Sequence, residues 1–530
     1  MKKEDILVLF FGFVYIFLGM FPLSRAYFSK PKERVYTWLE GGSEDYIGYV
    51  SYIKEGMYGR NFVVLRSVPI ENQKPTTIHI LYIFIGKVGR IFHLSAPVAF
   101  HVARIVIGLS FIYITFRFFV FSLGSKTRAL VTTIMAFLAS SLGWYSYNKG
   151  TWAYQDLAHF DFYVTMVLRA ISRPHYEFGA LVFLLVGMIL FSSSLEIKKR
   201  IVGGFFLAVV LGIVHSVFSF LFMLTFLSLI FFKLCFNRPK PIDIPLYIAI
   251  FSGLVLGFSL SFLGSLGQYW TEVYRSTNLL TIDQIWRYIL AFGPTLWLGY
   301  IGLIVAIIKT RGKKDSYMFL FLWLSIQLML FLFVGSLIHA DPVRFIQSLY
   351  FIPMAWGTAY LLQNIKNNIH LRWWMVGMVV IILLSVPTYI KDFLMYFAHA
   401  GNTDYRVYSS FVYPSKNMVS AYRFLDENTP VESIVLAKYE ATNNMLMYNH
   451  NVVLGQVGHT SEEITAIEKD RQDFFVGAMS FDGMSRYLHR NNIRYIYVGY
   501  QERFSDIFER NPQLFKPIFS NSEVTIYAVQ

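Results

Sequence analysis

From Ile6 to about Asp392 the chain is a succession of apolar runs broken by short polar loops, and basic residues crowd into every second loop. An apolar helix needs about 20 residues to cross a bilayer core, and short basic loops stay on the cytoplasmic side. The alternation therefore sets both a multi-pass membrane architecture and its orientation.

Eleven runs or so reach or approach that length: 6–24, 97–122, 128–145, 178–196, 201–215, 217–235, 244–264, 289–308, 316–338, 345–363 and 372–391. The two around His215 are the shortest. The first run is retained rather than cleaved, because Phe-Pro-Leu-Ser-Arg follows Met20 where a signal peptide would carry a small-x-small pattern. The basic clusters are Lys2 and Lys3; Arg117, Lys126 and Arg128; Lys198 to Arg200; Arg238 and Lys240; Lys309 to Lys314; and Lys366 with Arg372. Threading from an inside N-terminus puts all of them in the cytoplasm. Segments 25–96, 146–177, 265–288, 339–344 and everything after about Lys391 then lie outside. This topology requires Thr77 to Phe92, which carries His79, Lys87 and Arg90, to be an interfacial helix on the outer face.

Composition agrees with this reading. With 55% hydrophobic and only 15% charged residues, the chain is too apolar for one soluble domain. Its net charge of +14 comes from loops flanking membrane helices, and no dense basic run on a soluble module points to nucleic acid. The one cysteine, Cys235, closes an apolar run and can form no intrachain disulfide.

From about Val407 the composition turns soluble. Strand-like runs at Ser433–Lys438, Val452–Gly455, Arg494–Gly499 and Val524–Val529 alternate with helical stretches, one opened by a capping box at Thr460–Glu463. The fold class expected is a polytopic α-helical membrane bundle of about eleven spans with a small C-terminal α/β domain outside. Its domains are 1–395, with first outer loop 25–96 and second outer loop 146–177, and 405–530.

Three outer segments carry candidate chemistry. In GGSEDYIGYVSYIKEG (41–56), Gly41 and Gly42 allow a bend before the adjacent carboxylates Glu44 and Asp45. Such a carboxylate can take a hydroxyl proton or hold a divalent cation; it can equally cap a surface helix. The second loop holds Asp156, His159 and Asp161 within six residues, then Arg169, Arg173 and His175. The acids and imidazole form a possible metal or polar-substrate site, and the arginines can hold phosphate; a solvated loop is the plainer alternative. Third, Arg344 in His339-Ala340-Asp341-Pro342-Val343-Arg344-Phe345 enters an apolar segment, where it must pair, snorkel or meet an anion. For His215 a packing role is favoured.

The order of one span, a long outer loop with an early acid, an amphipathic helix, and a span opening APVAFHVARIVIGL resembles the C-type membrane glycosyltransferases (GT-C). The segments EDYIGYVSYIKEGMYG, RPHYEFG, DPVRFIQSLYFIP and NIRYIYVGYQER with VTIYAV are similar to bacterial members with an outer C-terminal α/β domain. The resemblance implies transfer of a sugar from a polyprenyl-phosphate donor to a glycan, lipid or protein acceptor on the outer face of the cytoplasmic membrane. It matches Asp45 to the first-loop acid that acts on the acceptor hydroxyl or a metal, with Glu44 as fallback. Asp156 and Asp161 stand loosely where some members place a further acid, and Arg344 where a cation binds the lipid phosphate. The Glu-Asp pair departs from the Asp-x-Asp of metal-dependent members, which leaves the use of Mg or Mn open. No glycine-rich phosphate loop for a nucleotide sugar follows a strand. The rivals are a flippase for a lipid-linked precursor, which would call for paired broken spans, and a non-catalytic membrane scaffold.

Overall fold

A computed structural model describes residues 3–38, 44–64, 66, 75–139, 143–148, 151–156, 173–236, 243–265, 292–334, 342–346, 349–364, 371–399, 412–454, 462–499 and 507–530. In chain order the elements begin with α1 (Lys3–Phe28), α2 (Glu44–Met57), α3 (Ile80–Ile91), α4 (Ala96–Leu123) and α5 (Lys126–Leu138). A hairpin β1 (Gly143–Asn148) and β2 (Thr151–Asp156) precedes α6 (Pro174–Phe191), α7 (Ile197–Val214), α8 (Ser216–Phe236) and α9 (Ile244–Ser265). Then come α10 (Pro294–Thr310), α11 (Asp315–Met329) with a π turn at Leu330–Val334, a 3-10 turn at Pro342–Phe345, α12 (Phe351–Asn364) and α13 (Leu371–His399). The remainder is α14 (Lys416–Asn428), β3 (Ile434–Leu436), α15 (Tyr439–Tyr448), β4 (Val452–Leu454), α16 (Glu462–Phe475), α17 (Phe481–Arg490), β5 (Ile493–Val498), α18 (Ile507–Arg510), β6 (Phe515–Ser520) and β7 (Thr525–Val529).

Six of these helices are long and apolar enough to cross a membrane: α1, α4, α6, α8, α9 and α11 with its π turn; α10 and the stretch Arg372–Pro387 are shorter apolar helices. Two expected spans need correction: 345–363 is α-helical only over the 14 residues Phe351–Asn364, and 128–145 breaks off early. The run 128–145 is helical only to Leu138 and gives way to the hairpin, whose strands pair antiparallel from Gly143↔Asp156 to Asn148↔Thr151. The helix expected from 178 starts at Pro174, since proline at a first helical position lacks only an N–H that would have no partner anyway. Among the described residues of Thr77–Phe92, α3 has 12 residues, short of a crossing.

The chain divides into two compact units. The first comprises Met1–Met20, Ala103–Leu266 and Tyr274–Tyr396; the second comprises Phe21–Val102, Gly267–Val273 and Phe397–Gln530. The C-terminal sheet thus shares a unit with the first loop, whereas the sequence reading separated 405–530 from 1–395.

In the first unit, a core of fully buried Phe111, Phe183, Phe222, Phe319, Trp323 and Trp356 joins most of the apolar helices. Lipid offers no hydrophobic drive for helix pairing, so association falls to close packing. Glycine supplies it where α10 crosses α12: a Cβ at Gly302 would run into the Gly357 carbonyl. Charged side chains tie the helix ends, Lys126 to Asp5 at 2.7 Å, and Lys233 to Asp315 at 2.7 Å and the Tyr247 hydroxyl at 2.8 Å.

In the second unit, α2 and α3 cross where a Cβ on Gly86 would meet the Ile53 carbonyl. The sheet runs β4-β3-β5-β7-β6; β3 pairs parallel with β4 and β5, while β7 pairs antiparallel with β5 and β6. β3, β4, β5 and β7 overlie the four strand-like runs. β6 is the strand the sequence reading lacked, and it carries Pro517 at a sheet edge, where proline costs no ladder bond.

Candidate functional site

In the first unit, two chain breaks bring imidazoles together. α6 opens after Arg173, whose backbone is extended, so that His175, Tyr176 and Glu177 occupy its buried first turn. His215 interrupts the helical run between α7 and α8. Its Nδ1 accepts the Phe218 N–H at 3.3 Å, satisfying one of the donors that a helix start leaves unpaired. The ring stacks on Phe218 at 3.7 Å and lies nearly parallel to the His175 ring at 6.0 Å, with Tyr176 at 5.1 Å. This contact is close because α6 presents Gly179 there: a Cβ would come within 2.9 Å of the His215 Cβ. Arg173 donates to the Tyr176 hydroxyl at 3.4 Å and stands over its ring at 5.6 Å, a cation–π geometry. Glu177 is 1% exposed, and its position in the first turn suits a negative charge.

Arg344 belongs to the same unit. It is half-buried on the 3-10 turn, which packs against α8 and against the π turn. Gln327, fully buried on α11, donates through Nε2 to the Phe345 carbonyl at 2.7 Å. The sequence-predicted Arg173 and His175 thus share a cluster with His215, and Tyr176, Glu177 and Gln327 are residues the sequence reading missed. The signal was present: a glutamate and a glutamine inside apolar runs are costly there and need a reason.

In the second unit, Glu44 and Asp45 open α2, and Asp45 is exposed. Tyr46 stacks on His101 at 5.7 Å, their polar atoms 3.4 Å apart, and the His101 Nε2 lies 3.0 Å from the Trp38 carbonyl. The far end of α2 is fixed by ions. Arg66 is fully buried, and all three guanidinium nitrogens are engaged: Nε with Glu55 at 3.2 Å, Nη1 with the Asn449 carbonyl, and Nη2 with Ser51 Oγ at 2.7 Å and the Leu446 carbonyl at 3.0 Å. Burial raises the Glu55 carboxyl to about 7 against the pull of Arg66. Burial likewise lowers Lys54 to about 8, opposed by Asp426 at 3.1 Å. Asp426 also accepts from the Tyr58 hydroxyl at 2.6 Å and lies 3.0 Å from His450 Nδ1.

Several candidates fall elsewhere. Asp156 ends β2 opposite Gly143; His159, Asp161 and Arg169 lie outside the described residues, as do the side chains of Asp156 and Glu44. Among the described residues no group of three or more His, Cys, Asp or Glu gathers as a set for a cation.

Solved structures share this architecture. The chain is similar to the oligosaccharyltransferase AglB from Archaeoglobus fulgidus in complex with an inhibitory peptide and a dolichol-phosphate: TM-score 0.55, 10% identity, 100% of this chain and 74% of that one. It is similar to ArnT from Cupriavidus metallidurans bound to undecaprenyl phosphate: TM-score 0.53, 11% identity, 99% of this chain and 97% of that one. A third likeness is to the arabinofuranosyltransferase AftD from Mycobacteria, at TM-score 0.55 and 12% identity, over 100% of this chain and 42% of that one. No protein-family model matches the chain, and no curated protein does. The likenesses establish the GT-C membrane fold across the whole chain.

Proposed function

We propose that this chain, with the GT-C fold as premise, transfers a sugar from a polyprenyl-phosphate donor to an acceptor hydroxyl on the outer face of the cytoplasmic membrane. The N-terminus lies inside and the C-terminal sheet outside in this reading. The observation that carries it is the cluster of Arg173, His175, Tyr176 and His215 at buried helix ends of an apolar unit. A buried group of this kind suits a lipid-linked anion, because charge-assisted bonds strengthen where water is scarce. Structures of like fold hold dolichol-phosphate and undecaprenyl phosphate, which supports the same donor class here.

The roles follow from where charge develops. Attack on the anomeric carbon breaks its bond to the phosphate oxygen, and negative charge grows on the leaving phosphate. Arg344, Arg173 and His175, with Arg169, are the groups proposed to hold it. The acceptor hydroxyl loses a proton as the new glycosidic bond forms, with inversion at the anomeric carbon. Asp45, exposed at the start of α2, takes that proton. Glu44 is the alternative base.

The test is Asp45→Asn. Transfer in membranes supplied with a polyprenyl-phosphate sugar falls by about 10²- to 10⁴-fold, the usual worth of a general base, while donor binding stays. Transfer at the wild-type rate removes Asp45 from the chemistry.

A further inference from the structure

We infer that Gln327 is a positioning residue that sets the turn bearing Arg344, and through it the affinity for the donor's phosphate. The inference rests on the reading of Arg344 as a phosphate-binding cation.

Gln327 is 0% exposed on the last turns of α11, inside an apolar helix. Half of its amide is used: Nε2 donates to the Phe345 carbonyl at 2.7 Å, while Oε1 is buried with no partner among the described residues. A leucine would fill the same space without burying an orphaned acceptor, so packing does not account for the amide. What it contributes is the bond to Phe345. That carbonyl belongs to the residue after Arg344 and ends a four-residue 3-10 turn, too short to satisfy its own terminal carbonyls.

The backbone beside it points the same way. One residue past Met329 the α11 ladder changes to the π turn Leu330–Val334, a wider winding that recurs at functional sites, and this turn packs on the Arg344 turn. The Arg344 turn also packs against α8, whose start is capped by His215. Phe345 and Ile346 are buried, at 3% and 0% exposure, whereas Arg344 stays half-buried. The turn is thus fixed at its carbonyl and its apolar side chains, which sets where the Arg344 side chain begins. A shift of the Phe345 carbonyl moves Arg344 with it.

Binding of undecaprenyl monophosphate to the full chain in lipid nanodiscs tests this. Q327L weakens binding by about tenfold at every pH, the worth of one lost buried bond. Q327E behaves differently, because its buried carboxyl, once neutral, can donate an O–H to Phe345. Its binding recovers towards wild type as the pH falls from 8 to 5. A residue that merely fills space would give no such pH-dependent rescue. Should Q327L fail to fold, the Q327E pair of pH values carries the test alone. R344A separates the two levels. If R344A loses binding while Q327L binds as wild type, or Q327E shows no recovery, the positioning role is overturned and the Arg344 reading stands. If R344A itself binds as wild type, that reading has failed and the inference falls with it.

Discussion

Arg66 and Gln327 are both fully buried polar side chains, one in each unit, and they are satisfied to different degrees. Every nitrogen of Arg66 has an acceptor, among them the carbonyls of Leu446 and Asn449, some 380 residues away in sequence. Among the described residues Gln327 has one partner for two polar atoms, and that partner lies 18 residues on. A buried group with all its bonds made specifies structure, since any movement leaves charge unpaired. A buried group with bonds unmade costs stability, and such strain is tolerated where a site needs it. The first kind of residue should report on folding, the second on binding.

The sharpest way to break this contrast is to remove Arg66. R66A strips Glu55 of its cation and leaves Ser51 and the Leu446 and Asn449 carbonyls without their buried donor, destabilising the protein by about 3–5 kcal/mol in denaturant unfolding. Lysine does not restore it, because one ammonium cannot reach acceptors spread around a planar fork. If R66A unfolds at the wild-type midpoint, the second unit is not held as described. A smaller effect is expected from Gly302→Ala in the first unit. Its methyl meets the Gly357 carbonyl and forces α10 from α12, at about 1–3 kcal/mol, read in thermal unfolding in detergent.

A third effect is one of pH. Glu55 is raised from 4.5 to about 7, so between those values the folded chain holds more protons than the unfolded one. The stability it confers is complete below pH 4.5 and is lost as pH rises through 7. Lys54 is lowered from 10.5 to about 8, so the unfolded chain binds more protons in that window and stability rises from pH 8 to 10.5. Unfolding midpoints should therefore pass through a trough between 7 and 8. Glu55→Gln removes the acid-side slope and leaves the alkaline one; an unchanged profile would contradict the assignment.

Much of this was legible in the sequence where local pattern decides. The run 217–235 became α8 at Ser216–Phe236, and 244–264 became α9 at Ile244–Ser265, because twenty apolar residues admit few alternatives in lipid. The hairpin was missed although its signs were there: Trp144, Ser146 and Asn148 alternate with tyrosines, and the sequence Asn148-Lys149-Gly150-Thr151 carries the residue types of a turn. Hydropathy alone fused that alternation to the helix before it. At the candidate site, Arg173 and His175 were chosen for their chemistry, while the proximity of His215 required the break between α7 and α8 and the small Gly179. The Arg66 contacts lie beyond any local reading, since most of its acceptors are backbone carbonyls that every residue owns.

Those contacts also order events in time. Arg66 leaves the ribosome some 380 residues before Leu446 and Asn449 exist, a wait of roughly 20 to 80 s at ordinary rates of about 5–20 residues per second. For that interval the nascent first loop must keep its guanidinium hydrated or lent to another acceptor, and α2 lacks its final anchor. The segment that presents Asp45 therefore matures only after Asn449 has been translated.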